Sequence, residues 1–126
     1  MNADVLFFFD QRRAALPIYQ AFEGRVLGEI EGARLKVQKT QITFSNRRVF
    51  AAASFLPARR AKNRPEAYLT VTFGLSRRVQ SPRIDAAVEP YPNRWTHHAL
   101  IAAPEEIDDE LMDWVKEAAR FSAGKR

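Results

Sequence analysis

The side chains most capable of chemistry in this chain are cations and aromatic rings in its middle. They are Lys39, Arg47, Arg48, Arg77, Arg78, Arg83, Arg94, Tyr68, Tyr91 and Trp95. A guanidinium group binds two phosphate oxygens at once, and aromatic rings stack on nucleic-acid bases. A sheet face with rings inside a rim of arginines would therefore suit single-stranded nucleic acid. The alternative is that Tyr91 and Trp95 pack against a proline turn while the arginines are merely solvated.

Two adjacent histidines form a second candidate. In a strand, neighbouring side chains point to opposite faces, so His97 and His98 cannot chelate one metal together. The chain has no cysteine and no third histidine, and we expect neither a metal nor another cofactor. In such a pair one histidine is commonly buried while the other faces solvent or a ligand, where it can act as a general base. With Thr40 they define a candidate small-molecule pocket.

Signatures of common enzymes are absent from the sequence. It contains no G-x-S-x-G elbow, no Walker loop and no G-x-G-x-x-G turn. A metal-dependent nuclease needs clustered carboxylates, whereas the basic middle offers only Glu66, Asp85 and Glu89. The sequence therefore favours a role without catalysis.

Charge is sorted by segment along the chain. Residues 34–94 hold thirteen Lys or Arg and three Asp or Glu, a net of +10, whereas residues 1–32 carry −2 and residues 95–126 carry −3. Fifteen of the twenty basic residues are Arg, which a GC-rich genome would also produce. Codon bias alone would not concentrate the charge in the middle, so the segment is a candidate polyanion-binding region.

Length and composition predict one domain over residues 1–126. The hydrophobic content of 46% is typical of a globular protein. No apolar run approaches the ~20 residues that span a bilayer, and charged residues interrupt the first twenty positions. The absence of cysteine fits a reducing compartment. We expect a soluble, cytoplasmic protein with no membrane partner.

Apolar residues at spacings of three and four predict a helix near each end. The first lies within residues 12–31 and begins near Leu16, because Pro17 suits a first turn. Its stripe is Ala15, Tyr19, Phe22, Val26 and Ile30. The second begins at Pro104, and its stripe is Ile107, Leu111, Trp114, Val115, Ala118 and Phe121. At least two of the three phenylalanines at 7–9 should be buried.

Several segments within residues 34–102 alternate with a period of two and predict strands, most clearly residues 67–75, whereas residues 49–55 predict a central strand without clean alternation. Residues 56–66 are predicted to form a long basic loop, and the other connections are short turns. The order predicts an α+β fold, in which an antiparallel sheet of about five to six strands is packed on one face by an N-terminal helix and a C-terminal helix. The other face would present Gln41, Thr43, Ser45, Tyr68, Thr70 and Thr72.

Three segments carry a family resemblance: VQKTQITFSNRRVF (37–50), YLTVTFGLSRRVQSPRI (68–84) and VEPYPNRWTHHALIAAPEEIDDEL (88–111). They resemble the bacterial domain of unknown function 5655 family over about residues 30–122, with a looser match in the first helix. Members of that family also form the C-terminal part of longer bacterial proteins. The resemblance therefore implies an accessory or binding role and supplies no established activity.

Three functional expectations follow. The first is a non-catalytic module that binds nucleic acid or another polyanion through a basic, aromatic-bearing sheet face. The second is a small-molecule or protein-interaction domain, with or without weak catalysis, that uses a pocket near His97 and His98. The third is a homodimer in which the sheet face is the contact.

Overall fold

The computed structural model describes residues 2–124 as three α-helices and six strands. The helices are α1 (Ala3–Phe8), α2 (Leu16–Glu29) and α3 (Asp109–Ala123). The strands are β1 (Arg34–Val37), β2 (Gln41–Ser45), β3 (Val49–Ser54), β4 (Leu69–Leu75), β5 (Ala86–Tyr91) and β6 (Arg94–Ile101). Short 3-10 turns lie at Arg13–Ala15, Ala61–Asn63 and Pro104–Glu106.

The strands form one antiparallel sheet in the order β1-β2-β3-β4-β6-β5. Because side chains alternate along each strand, the register defines two faces. The helix face carries Ile42, Phe44, Val71, Phe73 and Ala99. The open face carries Thr43, Ala52, Thr72 and His98 in one row across four strands. The α+β prediction is confirmed.

Both long helices cover the helix face, as predicted. The rings of Tyr19 and Phe22 in α2 lie 6.3 and 5.2 Å from the ring of Phe44 in β2. The ring of Trp114 in α3 stacks at 5.9 Å on Phe73 in β4. Every member of the predicted α2 stripe is buried, and α2 begins at Leu16 with its proline in the first turn.

Helix α3 begins later than the sequence predicted. Pro104–Glu106 forms a separate 3-10 turn, and the α-helix starts at Asp109. The reason is Asp108, whose side chain accepts a hydrogen bond from the Leu111 N–H at 3.0 Å and so caps the first turn. The acidic first turn therefore lies five residues downstream of the proline.

Of the three phenylalanines at positions 7–9, only one is fully buried, whereas at least two were expected to be. Phe9 is in the core, Phe8 packs against it, and Phe7 is 81% exposed. At the far edge of the sheet, β5 shifts register between Val88 and Tyr91, and this segment contains Pro90. No helix within residues 2–124 is both long and apolar enough to cross a membrane.

Candidate functional site

The two histidines occupy opposite faces of β6. His97 is fully buried on the helix face, stacked at 5.0 Å on the Phe73 ring. Its Nε2 accepts a hydrogen bond from the Val79 N–H at 3.0 Å, and its Nδ1 has no partner. Burial, the largest influence, lowers its pKa, so the ring is neutral near pH 7. His97 anchors the loop after β4 and is out of reach of a ligand.

His98 lies on the open face and is half-buried. Its Nδ1 is 2.8 Å from the hydroxyl of Thr72, its cross-strand neighbour. Burial lowers its pKa as well, which favours the neutral imidazole. The structure records no partner for its Nε2 within the described chain, so one ring nitrogen remains for a ligand.

His98 lines a groove of about 450 Å³ on the open face. We call this the open-face groove, and its lining residues are Thr40, Gln41, Ser54, Phe55, Leu56, Thr72 and His98. The structure therefore brings Thr40 and His98 of the predicted pocket together and leaves His97 on the other side of the sheet. A volume in this range is typical of small-molecule sites.

The loop of residues 55–66 forms one wall of the groove. The Tyr68 hydroxyl donates to the Phe55 carbonyl at 2.8 Å, and the Thr70 hydroxyl donates to the Leu56 carbonyl at 2.6 Å. Arg59 donates to Asp85 at 2.7 Å and so ties the loop to the start of β5. These bonds hold the loop across one end of the open face.

The arginine-bearing turns lie at the opposite end of the sheet. The β2–β3 turn, the end of β4 and the start of β6 share one edge, because neighbouring strands are antiparallel. With strands about 4.8 Å apart, β2 to β6 spans roughly 15 Å. We call this edge the arginine end. Its residues are Arg47, Arg48, Arg77, Arg78 and Arg94.

Asn46 shapes the first of these turns. Its side-chain oxygen accepts hydrogen bonds from the Arg47 and Arg48 N–H groups at 2.6 and 3.4 Å. Its amide nitrogen donates to the Ala119 carbonyl of α3 at 3.0 Å. The turn is thereby fixed on the end of α3, while both arginine side chains remain exposed.

In the part of the chain that the structure describes, most guanidinium groups of the arginine end have no carboxylate partner. Arg77 donates two hydrogen bonds to Glu117, at 3.0 and 2.8 Å. Within residues 2–124, no salt bridge is recorded for Arg47, Arg48, Arg78 and Arg94. Arg83, a further candidate, is paired with Asp108 and Glu110 and lies away from this edge.

Arg94 occupies a position set by a glycine. Its guanidinium lies over Gly74 on the open face, where a Cβ built on that glycine would collide with the guanidinium atoms. Gly74 pairs across the strands with Thr96, the residue between Arg94 and His98 on the same face. Arg94 therefore extends the positive charge of the arginine end toward the open-face groove.

Two of the three predicted aromatic residues lie at the arginine end, and the third lies at the opposite end of the sheet. Trp95 lies at the arginine end, with the Arg78 guanidinium 5.5 Å from its ring. Tyr68 is buried beneath the loop at the other end of the sheet, so its ring is not open to stacking by a ligand. Tyr91 is exposed at the end of the edge strand β5 and pairs across the strands with Arg94, which places it at the arginine end. Of the predicted set, the structure thus gathers five arginines, Trp95 and Tyr91 at one end of the sheet.

Lys39 lies at the end opposite the arginines. It lines a cleft of about 560 Å³ between α1 and the β1–β2 turn. The cleft also contains Phe7, Phe8 and Arg12, and it shares Thr40 and Phe55 with the open-face groove. Within residues 2–124, no three His, Asp or Glu side chains lie close enough together to hold a metal ion.

One known protein family covers most of the chain. The family model for a domain of unknown function, DUF5655, matches residues 7–122. The chain belongs to the DUF5655 family. The family resemblance is confirmed, and the match takes in all of α2, where the resemblance was looser. No curated protein and no solved structure matches the chain.

The DUF5655 match contains both the arginine end and the open-face groove. Sequence reasoning singled out Thr72 only as a polar residue of the open face and gave no role to Gly74. The Thr72 hydroxyl contacts His98 because the strand register places the two residues opposite each other, and the sequence alone did not indicate that register. The sequence did offer one signal for Gly74, because a glycine inside a clearly predicted strand often marks a place where another group approaches the backbone closely.

Proposed function

We propose that this domain binds single-stranded nucleic acid, as a polyanion, at its arginine end. The observation that carries the proposal is the placement of three arginine-bearing segments on one sheet edge, where Arg47, Arg48, Arg78 and Arg94 form no salt bridge within residues 2–124. The segments that carry these arginines lie about 5–15 Å apart across the sheet, so their guanidinium groups can each meet a different phosphate of a flexible strand. Trp95 adds an aromatic ring beside them.

The choice of a single strand over a duplex comes from the shape of the surface. The arginines project from turns and from one strand end, and no helix presents them to a major groove. A flexible strand can follow such an irregular edge, and its exposed bases can contact neighbouring side chains.

The dependence of the binding constant on salt concentration is the quantity that tests the proposal. Each neutralised phosphate of a single strand contributes about −0.7 to the slope of log K against log salt, so four contacts give about −2.8. Raising salt from 50 to 200 mM should then weaken binding roughly 50-fold. Fluorescence anisotropy with a labelled single-stranded DNA or RNA, and with a duplex of the same sequence, measures this.

A matched pair of variants locates the binding surface. Arg47→Ala with Arg48→Ala removes two charges from the arginine end, and the slope should fall to about −1.4. Arg60→Ala with Lys62→Ala removes two exposed charges from the loop of residues 55–66 and should leave the slope unchanged. Equal losses in both variants would show that only net charge matters, and would contradict the proposal.

A further inference from the structure

The open-face groove is suited to an uncharged, hydrogen-bonding group. Its lining consists of Phe55, Leu56, the neutral ring of His98 and four polar side chains, none of them ionised. A phosphate would lose hydration there without gaining a cation. A planar heterocycle would find hydrogen-bond partners on one side and an apolar wall on the other.

The polar groups of the groove have hydrogen-bonding capacity to spare. Thr72 engages His98 Nδ1, which leaves Nε2 as a donor or an acceptor according to the tautomer. The Ser54 hydroxyl oxygen accepts from the Leu56 N–H at 3.2 Å, and its own proton remains a donor. A base edge presents this kind of mixed donor and acceptor pattern.

The groove and the nearest cation of the arginine end are adjacent. Thr72 in the groove floor and Gly74 beneath the Arg94 guanidinium are two residues apart on one face of β4, a separation of about 7 Å. A nucleotide joins an anionic phosphate to an uncharged base through one sugar. It can therefore place its phosphate against Arg94 while its base enters the groove.

We propose that the open-face groove receives a nucleobase of a strand whose phosphates lie at the arginine end. The inference rests on the proposed function and adds to it a contact that charge alone does not provide. His98 and Thr72 would meet the edge of the base, and Leu56 would cover part of it.

The test compares two strands of equal length and charge, one with bases and one built of abasic nucleotides. The strand with bases should bind about 5- to 100-fold more tightly, because each held base adds favourable stacking. This advantage should persist at high salt, where the phosphate contribution fades. Equal binding of both strands would overturn the inference and leave the proposed function intact, whereas binding of neither would overturn both.

Imidazole NMR resonances report the site in the unaltered protein. The chain has two histidines, one on each face, so His97 serves as an internal reference for His98. The strand with bases should shift the His98 signals and leave those of His97 in place. A His98→Ala variant should remove the advantage of bases while the abasic strand binds as before.

Free nucleosides complete the design. If a nucleoside shifts the His98 signals at millimolar concentration and the strand shifts them at a lower concentration, the groove and the arginine end act together. If the nucleoside binds and the strand leaves His98 untouched, the groove is a separate small-molecule site and the inference is wrong. Unshifted His98 signals with both ligands would also overturn it.

Discussion

Replacing Glu117 by Gln should strengthen the binding of single-stranded nucleic acid. Glu117 holds Arg77 through two hydrogen bonds and is the one carboxylate paired with the arginine end among the described residues. The Arg77 guanidinium is the largest influence that lowers the pKa of Glu117, so the carboxylate is ionised at neutral pH. The substitution removes this competing anion and leaves Arg77 available to a phosphate.

The size of the gain follows from one additional phosphate contact. The salt slope should change from about −2.8 to about −3.5, since a single-strand contact contributes about −0.7. The electrostatic contribution vanishes near 1 M salt, so the variant should bind about 5-fold more tightly at 0.1 M and about 8-fold at 0.05 M. Fluorescence anisotropy at four salt concentrations resolves a difference of this size.

Stability should change little in this variant. The side chains of Arg77 and Glu117 are 55% and 31% exposed, and an exposed ion pair of this kind contributes about 0–1 kcal/mol. Glu105→Gln is the matched control, because it removes an exposed negative charge at the other end of the sheet. Binding at the arginine end is refuted if the Glu117→Gln variant folds and binds no better than the Glu105→Gln variant.

Three further predictions concern Gly74, His97 and Asp108. Gly74→Ala should displace the Arg94 guanidinium and weaken strand binding about 5-fold at 0.1 M salt, with an almost unchanged melting temperature, because the colliding atoms are the end of a flexible side chain. Acidification from pH 7.5 to 5.5 should lower the free energy of unfolding by up to about 1.4 kcal/mol for each of His97 and His98. The pKa of each lies below the ordinary 6.5, so the unfolded chain takes up the proton first. Urea titrations at both pH values measure the loss, and a His98→Ala variant isolates the part due to His97. Asp108→Ala should cost about 1–2 kcal/mol in urea unfolding, because the Leu111 N–H loses its cap.

Each of these predictions has its own control. Arg94→Ala should weaken binding as much as Gly74→Ala does, and wild-type affinity in the glycine variant would contradict the assigned position of Arg94. The carboxylate of Glu29, whose pKa is lowered to about 2 by Arg25 and Lys116, loses stabilisation only below its ordinary 4.5 and so does not mask the histidine step. Asp113→Ala, at an exposed carboxylate beyond the first turn of α3, should cost less than Asp108→Ala.

Local patterns predicted the elements that depend on local physics. The α2 stripe and the position of Pro17 gave the start of that helix, and strict alternation gave β4. The opposite orientation of His97 and His98 followed from strand geometry alone. In each case the deciding interactions lie within a few residues of one another along the chain.

Long-range partners decided the features that were not predicted. Tyr68 was expected on an exposed face, but its hydroxyl bonds to Phe55 across a loop whose path no local pattern encodes. Arg77 and Arg83 are paired with carboxylates of α3 and of its capping residue, about 25 to 40 positions away. Charge counting along the chain cannot tell such a paired arginine from an unpaired one.

The outer edge of β5 has a consequence for self-association. A proline offers no N–H to a new neighbour, and the register shift between Val88 and Tyr91 twists the strand away from a straight template. Another chain docking here would find an interrupted ladder. Concentrated protein is therefore protected on this side against the edge-to-edge stacking that leads to fibrils.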